Sequence, residues 1–148
     1  MYWIINKREM MPMIKVIAGA KGTGKTAQLV DDINEQAVQD NNNIVCIERG
    51  NRLDRLLKYK IRKIDIDEYP STGYDQLLSF IAGISAKDYD LTHIYIDSVF
   101  KVAKNDSLQD LAAFLKKLEI FLSDSSLVVT VVCSSDSATL PAEIQKYC

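Results

Sequence analysis

Histidine is almost missing from this chain: His93 is the only one in 148 residues. A metal site built from several histidines is therefore excluded. His93 itself lies inside an apolar run and reads as a core or strand-edge residue. Cysteine is scarce too. Cys46, Cys133 and Cys148 make an odd number, no two form a C-x-x-C pair, and two sit in apolar strand-like runs. Neither a disulfide framework nor a zinc knuckle is suggested, and a reducing, cytoplasmic setting fits best. No surplus of one charge exists either: 18 basic and 20 acidic side chains leave a formal net charge of −2. That balance argues against a dedicated, strongly basic nucleic-acid binder, and no sequence-specific recognition is expected. No apolar run is long enough for a membrane span. Tyr2-Trp3-Ile4-Ile5 is also too short for a signal-peptide core, and no small-residue cleavage site follows it. There is no internal repeat and no low-complexity stretch.

What is present is enough apolar chain, 47% of the residues, for one globular domain with a core of its own. Residues 1–12 stand apart from it. Met10, Met11 and Met13 are all plausible starts, so 1–12 is expected to be an N-terminal extension outside the fold. The alternative is a short apolar arm packed on the domain or on a neighbour. The domain is expected to occupy 13–148.

Within the domain, strand and helix patterns alternate. Residues 13–18 read as a strand, and Leu29, Val30, Ile33 and Ala37 then recur at helical spacing until Asn41-Asn42-Asn43. Residues 44–47 form a short buried strand. Leu53, Leu56 and Leu57 predict a helical face over 49–60, and 61–66 alternates as a half-buried or edge strand. A helix is predicted over 73–84, a strand over 94–96, and a long helix capped by Ser107 with Asp110 in its first turn. Residues 127–133 make the longest apolar β-run, suited to a sheet centre covered on both faces. Five strands alternating with helices predict an α/β, three-layer fold with a mostly parallel five-stranded sheet. Ligands of such sheets sit at the carboxyl ends of the strands.

The first strand runs directly into Gly19-Ala20-Lys21-Gly22-Thr23-Gly24-Lys25-Thr26, a complete Walker A sequence, G-x-x-x-x-G-K-[ST]. At ordinary residue frequencies such a match arises by chance in roughly half a per cent of chains this long. In such a loop the glycines let successive backbone N–H groups cradle phosphates, the lysine reaches the β/γ-phosphates, and the threonine hydroxyl ligates Mg²⁺. Lys25 and Thr26 hold those positions, and a nucleoside triphosphate with Mg²⁺ is the ligand expected.

Other strand ends carry polar groups. Ile94-Tyr95-Ile96-Asp97 has the Walker B form, in which Asp97 would serve the Mg²⁺ shell opposite Thr26; a turn or cap aspartate is the alternative. Glu48 follows the second strand, where a carboxylate could polarise the attacking water, or simply be a solvated loop residue. Ser134, Ser135 and Asp136 follow the last strand, and one of them could bond the γ-phosphate or the water. Residues 49–63 hold seven basic side chains and one acid. They read as a solvated helix, or as the source of a phosphate-contacting Arg49, Arg52 or Arg55 acting in the same subunit or in a neighbour. A partner surface is a third reading. Tyr69, Tyr74, Tyr89 and Tyr95 could stack on a base, with nothing in their spacing to select one.

Ile96-Asp97-Ser98-Val99 resembles the Walker B region of RecA-like ATPases. Those proteins place their catalytic glutamate after the strand that follows the Walker A helix, where Glu48 stands here. The chain is also similar, over 13–136, to small stand-alone bacterial ATP-binding proteins labelled by distant likeness to twitching-motility ATPases. The resemblance implies a RecA-like P-loop NTPase core with ATP and Mg²⁺, Gly24, Lys25 and Thr26 on the phosphates and metal, Asp97 on the metal, and Glu48 as the base. It departs in lacking the motility motors' N-terminal domain, long DNA-binding loops and a zinc-binding lobe. The expected function is that of a Mg²⁺-dependent ATPase, with a homo-oligomer or protein partner as a possible source of an arginine. Its rivals are a nucleotide-responsive binding module with little hydrolysis and a small-molecule phosphotransferase.

Overall fold

Apolar β-branched runs become the strands of a single sheet in the computed structural model, which describes residues 13–58 and 60–148. The expected extension at 1–12 lies outside the described residues. The strands are β1 (Ile14–Ala18), β2 (Ile44–Glu48), β3 (Arg62–Asp65), β4 (His93–Ile96) and β5 (Val128–Cys133), in the order β1-β5-β4-β2-β3. All four neighbouring pairs are parallel, with Ala18 opposite Cys133, Ile96 opposite Val131, and Ile47 opposite Ile96. Every strand therefore delivers its carboxyl end to the same edge of the sheet. The loop after β1, Glu48, Asp65, Asp97 and Ser134 all emerge there.

Both faces are covered, as a parallel sheet requires. Helix α1 (Lys25–Ala37) packs Leu29, Val30, Ile33 and Ala37 on Ile17, Cys46, Tyr95 and Val132. The opposite face receives α2 (Tyr74–Lys87), α3 (Val99–Ala103), α4 (Leu108–Phe121) and α5 (Ala142–Gln145), through Leu77, Ile81, Val102, Leu111, Leu115 and Ile144. The period of two is visible within β2: Ile44 and Cys46 join the first cluster, Val45 and Ile47 the second. Leu29 and Ile33 are fully buried, and each contributes roughly 1.5–3 kcal/mol by leaving water.

Most predicted elements form where expected. Ser107 Oγ accepts the Asp110 amide at 3.1 Å and caps α4. Helix α2 runs three residues beyond the predicted 84, ending at Lys87. The 127–133 run lies second from an edge, and β4 takes the centre. On the outer side of β1, Val16 N–H donates to the Tyr147 carbonyl at 2.9 Å, so the C-terminal segment covers part of that edge.

Among the described residues 49–58 and 60, the predicted helix over 49–60 does not form. Its backbone groups are claimed by side chains instead. Glu48 Oε2 takes the Leu53 amide (3.0 Å), Lys63 Nζ takes the Gly50 carbonyl (2.6 Å), and Asn34 bonds both the Leu56 carbonyl (2.9 Å) and the Lys58 amide (3.1 Å). Gly50 adopts φ 102°, outside the helical region. Among the described residues isolated turns remain in its place, with the Asp54 amide on the Asn51 carbonyl and the Leu56 and Leu57 amides both on the Leu53 carbonyl. Leu53 is buried and Leu56 is 52% exposed, so the leucine spacing does not make a common face.

Candidate functional site

Between β1 and α1 the chain makes a tight loop. Gly22 and Gly24 adopt φ 81° and 82°, a left-handed conformation that costs a residue with a side chain about 1–2 kcal/mol. A Cβ on Gly19 would lie 2.7 Å from Thr23 Oγ1, whose hydroxyl donates to the Ala20 carbonyl at 2.7 Å. Gly24 occupies the N-cap position of α1 and offers no side-chain oxygen to the first turn, which also contains no acid. The amides of Lys25, Thr26 and Ala27 consequently have no acceptor within the helix and face outward with the positive end of the helix dipole. The Lys25 side chain is buried against the loop, Nζ donating to the Ala20 carbonyl at 2.7 Å. Such a helix start binds anions by its backbone alone.

A cavity of about 470 Å³ opens over this loop. Lys21, Lys25, Arg52 and Lys101 line it together with Thr26, Ser98 and Ser134, and no carboxylate is among its lining residues. Asp97, directly after β4, has its amide on the Ile47 carbonyl at 3.0 Å and is 2% exposed. Its Oδ2 accepts from Arg52 Nη2 at 3.3 Å, while Oδ1 is buried without a hydrogen-bond partner among the described residues. Burial pushes the Asp97 carboxyl above its ordinary range, with the Arg52 guanidinium pulling the other way. An orphaned buried carboxylate oxygen and a cavity-lining hydroxyl at Thr26 suit Mg²⁺, which takes one or two protein oxygens and completes its shell with phosphate and water. Among the described residues no cluster of three or more His, Cys, Asp or Glu is arranged to hold a metal by itself.

Glu48 is placed beside Asp97 by the pairing of β2 with β4 but does not line the cavity. It is 2% exposed, and its Oε2 meets Lys63 Nζ at 3.1 Å as well as the Leu53 amide. Lys63 also reaches Asp54 Oδ1 at 2.9 Å. Burial alone would lower the Lys63 pKa, but the bonds it donates to Asp54 and Glu48 outweigh it and hold the ammonium above its usual value.

No protein-family profile matches the chain, and no curated protein matches it. Among solved structures, a KaiC-like protein from the hyperthermophilic archaeon Pyrococcus horikoshii OT3 superposes with a TM-score of 0.67. The match covers 92% of this chain and 67% of that one, at 19% identity. The fold is RecA-like. At that identity the likeness speaks for the architecture alone, and the site is read from this chain's own residues.

On the RecA-like sheet, only some of the residues singled out by sequence come together. Of the three arginines, Arg52 lines the cavity, whereas Arg49 Nε pairs with Asp67 at 3.1 Å and Arg55 is exposed. Ser134 lines it too, but Asp136 caps the following turn through the Ala138 amide (3.0 Å) and Ser135 is not among the lining residues. None of the four tyrosines lines it: Tyr95 OH donates to Asp32 (2.8 Å), Tyr74 OH to the Asn105 carbonyl (2.9 Å), Tyr69 packs on Phe80, and Tyr89 is 95% exposed. His93 is half-buried at the start of β4 and stacks on Tyr95 at 6.1 Å. Two features escaped sequence reasoning. Lys101 enters the cavity from α3, whose five residues are too few to show periodicity. Ser98 adopts φ 56°, a strained conformation for a residue with a side chain, directly after Asp97.

Proposed function

We propose that this chain binds a nucleoside triphosphate, ATP by its resemblance to RecA-like ATPases, together with Mg²⁺, and hydrolyses it. The observation that carries this reading is the charge of the cavity. A chain of net charge −2 gathers four cationic side chains and a free helix N-terminus around one space with no carboxylate in its lining. Loop amides of 19–26 and Lys25 would hold the phosphates, with Lys25 exchanging the Ala20 carbonyl for a phosphate oxygen. Thr26 and Asp97 would hold Mg²⁺, which supplies charge neutralisation of the phosphates. Glu48 is the carboxylate proposed to polarise water, at the end of a neighbouring strand. The reading is tested by ATP affinity measured in Mg²⁺ and in EDTA. The parent gains affinity from the metal; Thr26→Ala and Asp97→Asn lose that gain. A gain that survives in both variants overturns the metal assignment.

A second reading, a nucleotide-responsive module with little hydrolysis, is favoured by one specific observation. The Glu48 carboxylate is paired with Lys63, accepts the Leu53 amide and is not among the residues lining the cavity. Single-turnover hydrolysis separates the two. Under the first reading Glu48→Gln spares binding and suppresses turnover; a rate equal to the parent's moves the base elsewhere. A rate rising with protein concentration would point to a neighbour or partner supplying an arginine. Among the described residues no helix is long and apolar enough to cross a membrane. A cytoplasmic location and a kinship with the twitching-motility-like ATP-binding proteins belong to this same proposal.

A further inference from the structure

The carboxylate assigned to Mg²⁺ is already engaged in this structure. Arg52 Nη2 lies 3.3 Å from Asp97 Oδ2, although the Arg52 side chain is 59% exposed and its guanidinium belongs to the cavity over the loop. A guanidinium and a divalent cation at one buried carboxylate repel each other strongly, because little water separates them. Magnesium is a hard ion that demands oxygen. The guanidinium, with five donors in a planar fork, is as well matched to phosphate as to carboxylate.

The backbone around Arg52 is pinned on both sides. Gly50 is fixed through its amide to Asp65 Oδ1 (2.8 Å) and through its carbonyl to Lys63 (2.6 Å). Leu53 is fixed through its amide to Glu48 (3.0 Å) and by a fully buried side chain. The Arg52 Cα is therefore held at the cavity rim, and rotation about side-chain bonds is enough to move the guanidinium.

We propose that Arg52 is an exchangeable counter-cation: it neutralises Asp97 in the absence of metal and transfers to the terminal phosphate when a Mg²⁺-triphosphate binds. The proposal rests on the nucleotide reading above and adds what that reading left open, namely which arginine serves the site and from which chain. The same charge that stabilises the buried carboxylate becomes a ligand that only a triphosphate can accept in full. Arg52 thereby lets the chain distinguish triphosphate from diphosphate without an arginine from a neighbour.

The test compares calorimetric affinities of the full chain for Mg²⁺·ADP and for a Mg²⁺-bound β,γ-imido ATP analogue, in the parent, Arg52→Ala and Arg52→Lys. The parent should prefer the triphosphate analogue by about 10-fold or more, the range of a hydrogen bond to a charged group. Arg52→Ala should reduce that preference to within about 2-fold, and Arg52→Lys should fall between. Urea unfolding without nucleotide gives the second readout. Arg52→Ala, Asp97→Asn and the double variant should be non-additive, because removing the carboxylate charge relieves the loss of its partner. An unchanged triphosphate preference in Arg52→Ala, or strict additivity with Asp97→Asn, overturns the exchange while leaving nucleotide binding intact. Absence of any nucleotide binding by the parent overturns both.

Discussion

Replacing Lys63 by Met asks whether the buried carboxylate at the end of β2 depends on a single cation. The Glu48 and Lys63 side chains are 3% and 15% exposed, so little solvent reaches either. The substitution removes the contacts to Glu48 (3.1 Å), to Asp54 (2.9 Å) and to the Gly50 carbonyl (2.6 Å). Asp54 is 52% exposed and turns to water, so its loss contributes at most about 1 kcal/mol. Glu48 has no such route. Stripping one partner from a buried ion pair costs about 3–5 kcal/mol. The surviving bond from the Leu53 amide and the residual exposure of Lys63 place this case near the lower end, about 3 kcal/mol. For a domain with a total stability of about 5–15 kcal/mol, that is a large share. Urea denaturation followed by circular dichroism should show the midpoint falling by about 1–3 M, given slopes of about 1–3 kcal/mol per M. Adding Glu48→Gln should restore much of the loss, since the amide needs no counter-charge. A Lys63→Met loss below about 1 kcal/mol, or no recovery in the double variant, would refute the pairing. Lys63 also titrates. The raised Lys63 pKa means that its contribution is whole below the ordinary value of 10.5 and disappears as pH rises through the folded-state value.

Other expectations follow from the core, a cap and a buried imidazole. Ile33→Ala, at a position with no exposure, should cost about 2–5 kcal/mol in urea unfolding; a smaller loss would mean that α1 is not packed on the sheet as described. Ser107→Ala removes the cap on the Asp110 amide and should cost about 1 kcal/mol, with Ser107→Asp recovering most of it. Burial holds the His93 pKa below 6.5, with the Asp32 charge pulling weakly upward. The neutral imidazole therefore supports folding above pH 6.5, and that support is lost as pH falls through the lowered folded-state value. The urea midpoint of the parent should drop on acidification from about pH 7 to about pH 5, and His93→Gln should flatten the drop; equal slopes would contradict the assignment.

The parts of the fold legible in the sequence are those with a local cause. Alternating or continuous apolar runs gave β2, β4 and β5 their places, and the Leu29, Ile33 and Ala37 spacing marked α1. Ser107 and Asp110 marked the start of α4 because a cap acts three residues away. The order of the strands had no such local signature, since β1 pairs with β5 across more than a hundred residues. Residues 49–60 misled for the same reason. Their leucine spacing is helical, but the groups that unwind them, on Asn34, Glu48 and Lys63, come from α1, β2 and β3 respectively. At the candidate site, the loop of 19–26 was visible as a motif because an anion cradle is built from consecutive residues. The pairing of Arg52 with Asp97 was not, being a contact between residues 45 apart. Nor was the engagement of Glu48 by Lys63, a contact between side chains on neighbouring strands.

The central claim is that the loop of 19–26, in the cavity lined by Lys21, Lys25, Arg52 and Lys101, holds the phosphates of Mg²⁺-ATP. Isothermal titration of Mg²⁺-ATP into the parent chain and into Lys25→Ala tests it most directly. The parent should bind one nucleotide per chain, and Lys25→Ala should weaken binding by at least about 10-fold, the loss of one charge-assisted contact to phosphate. Equal affinity in the two proteins, or no binding by a folded parent, would contradict the account.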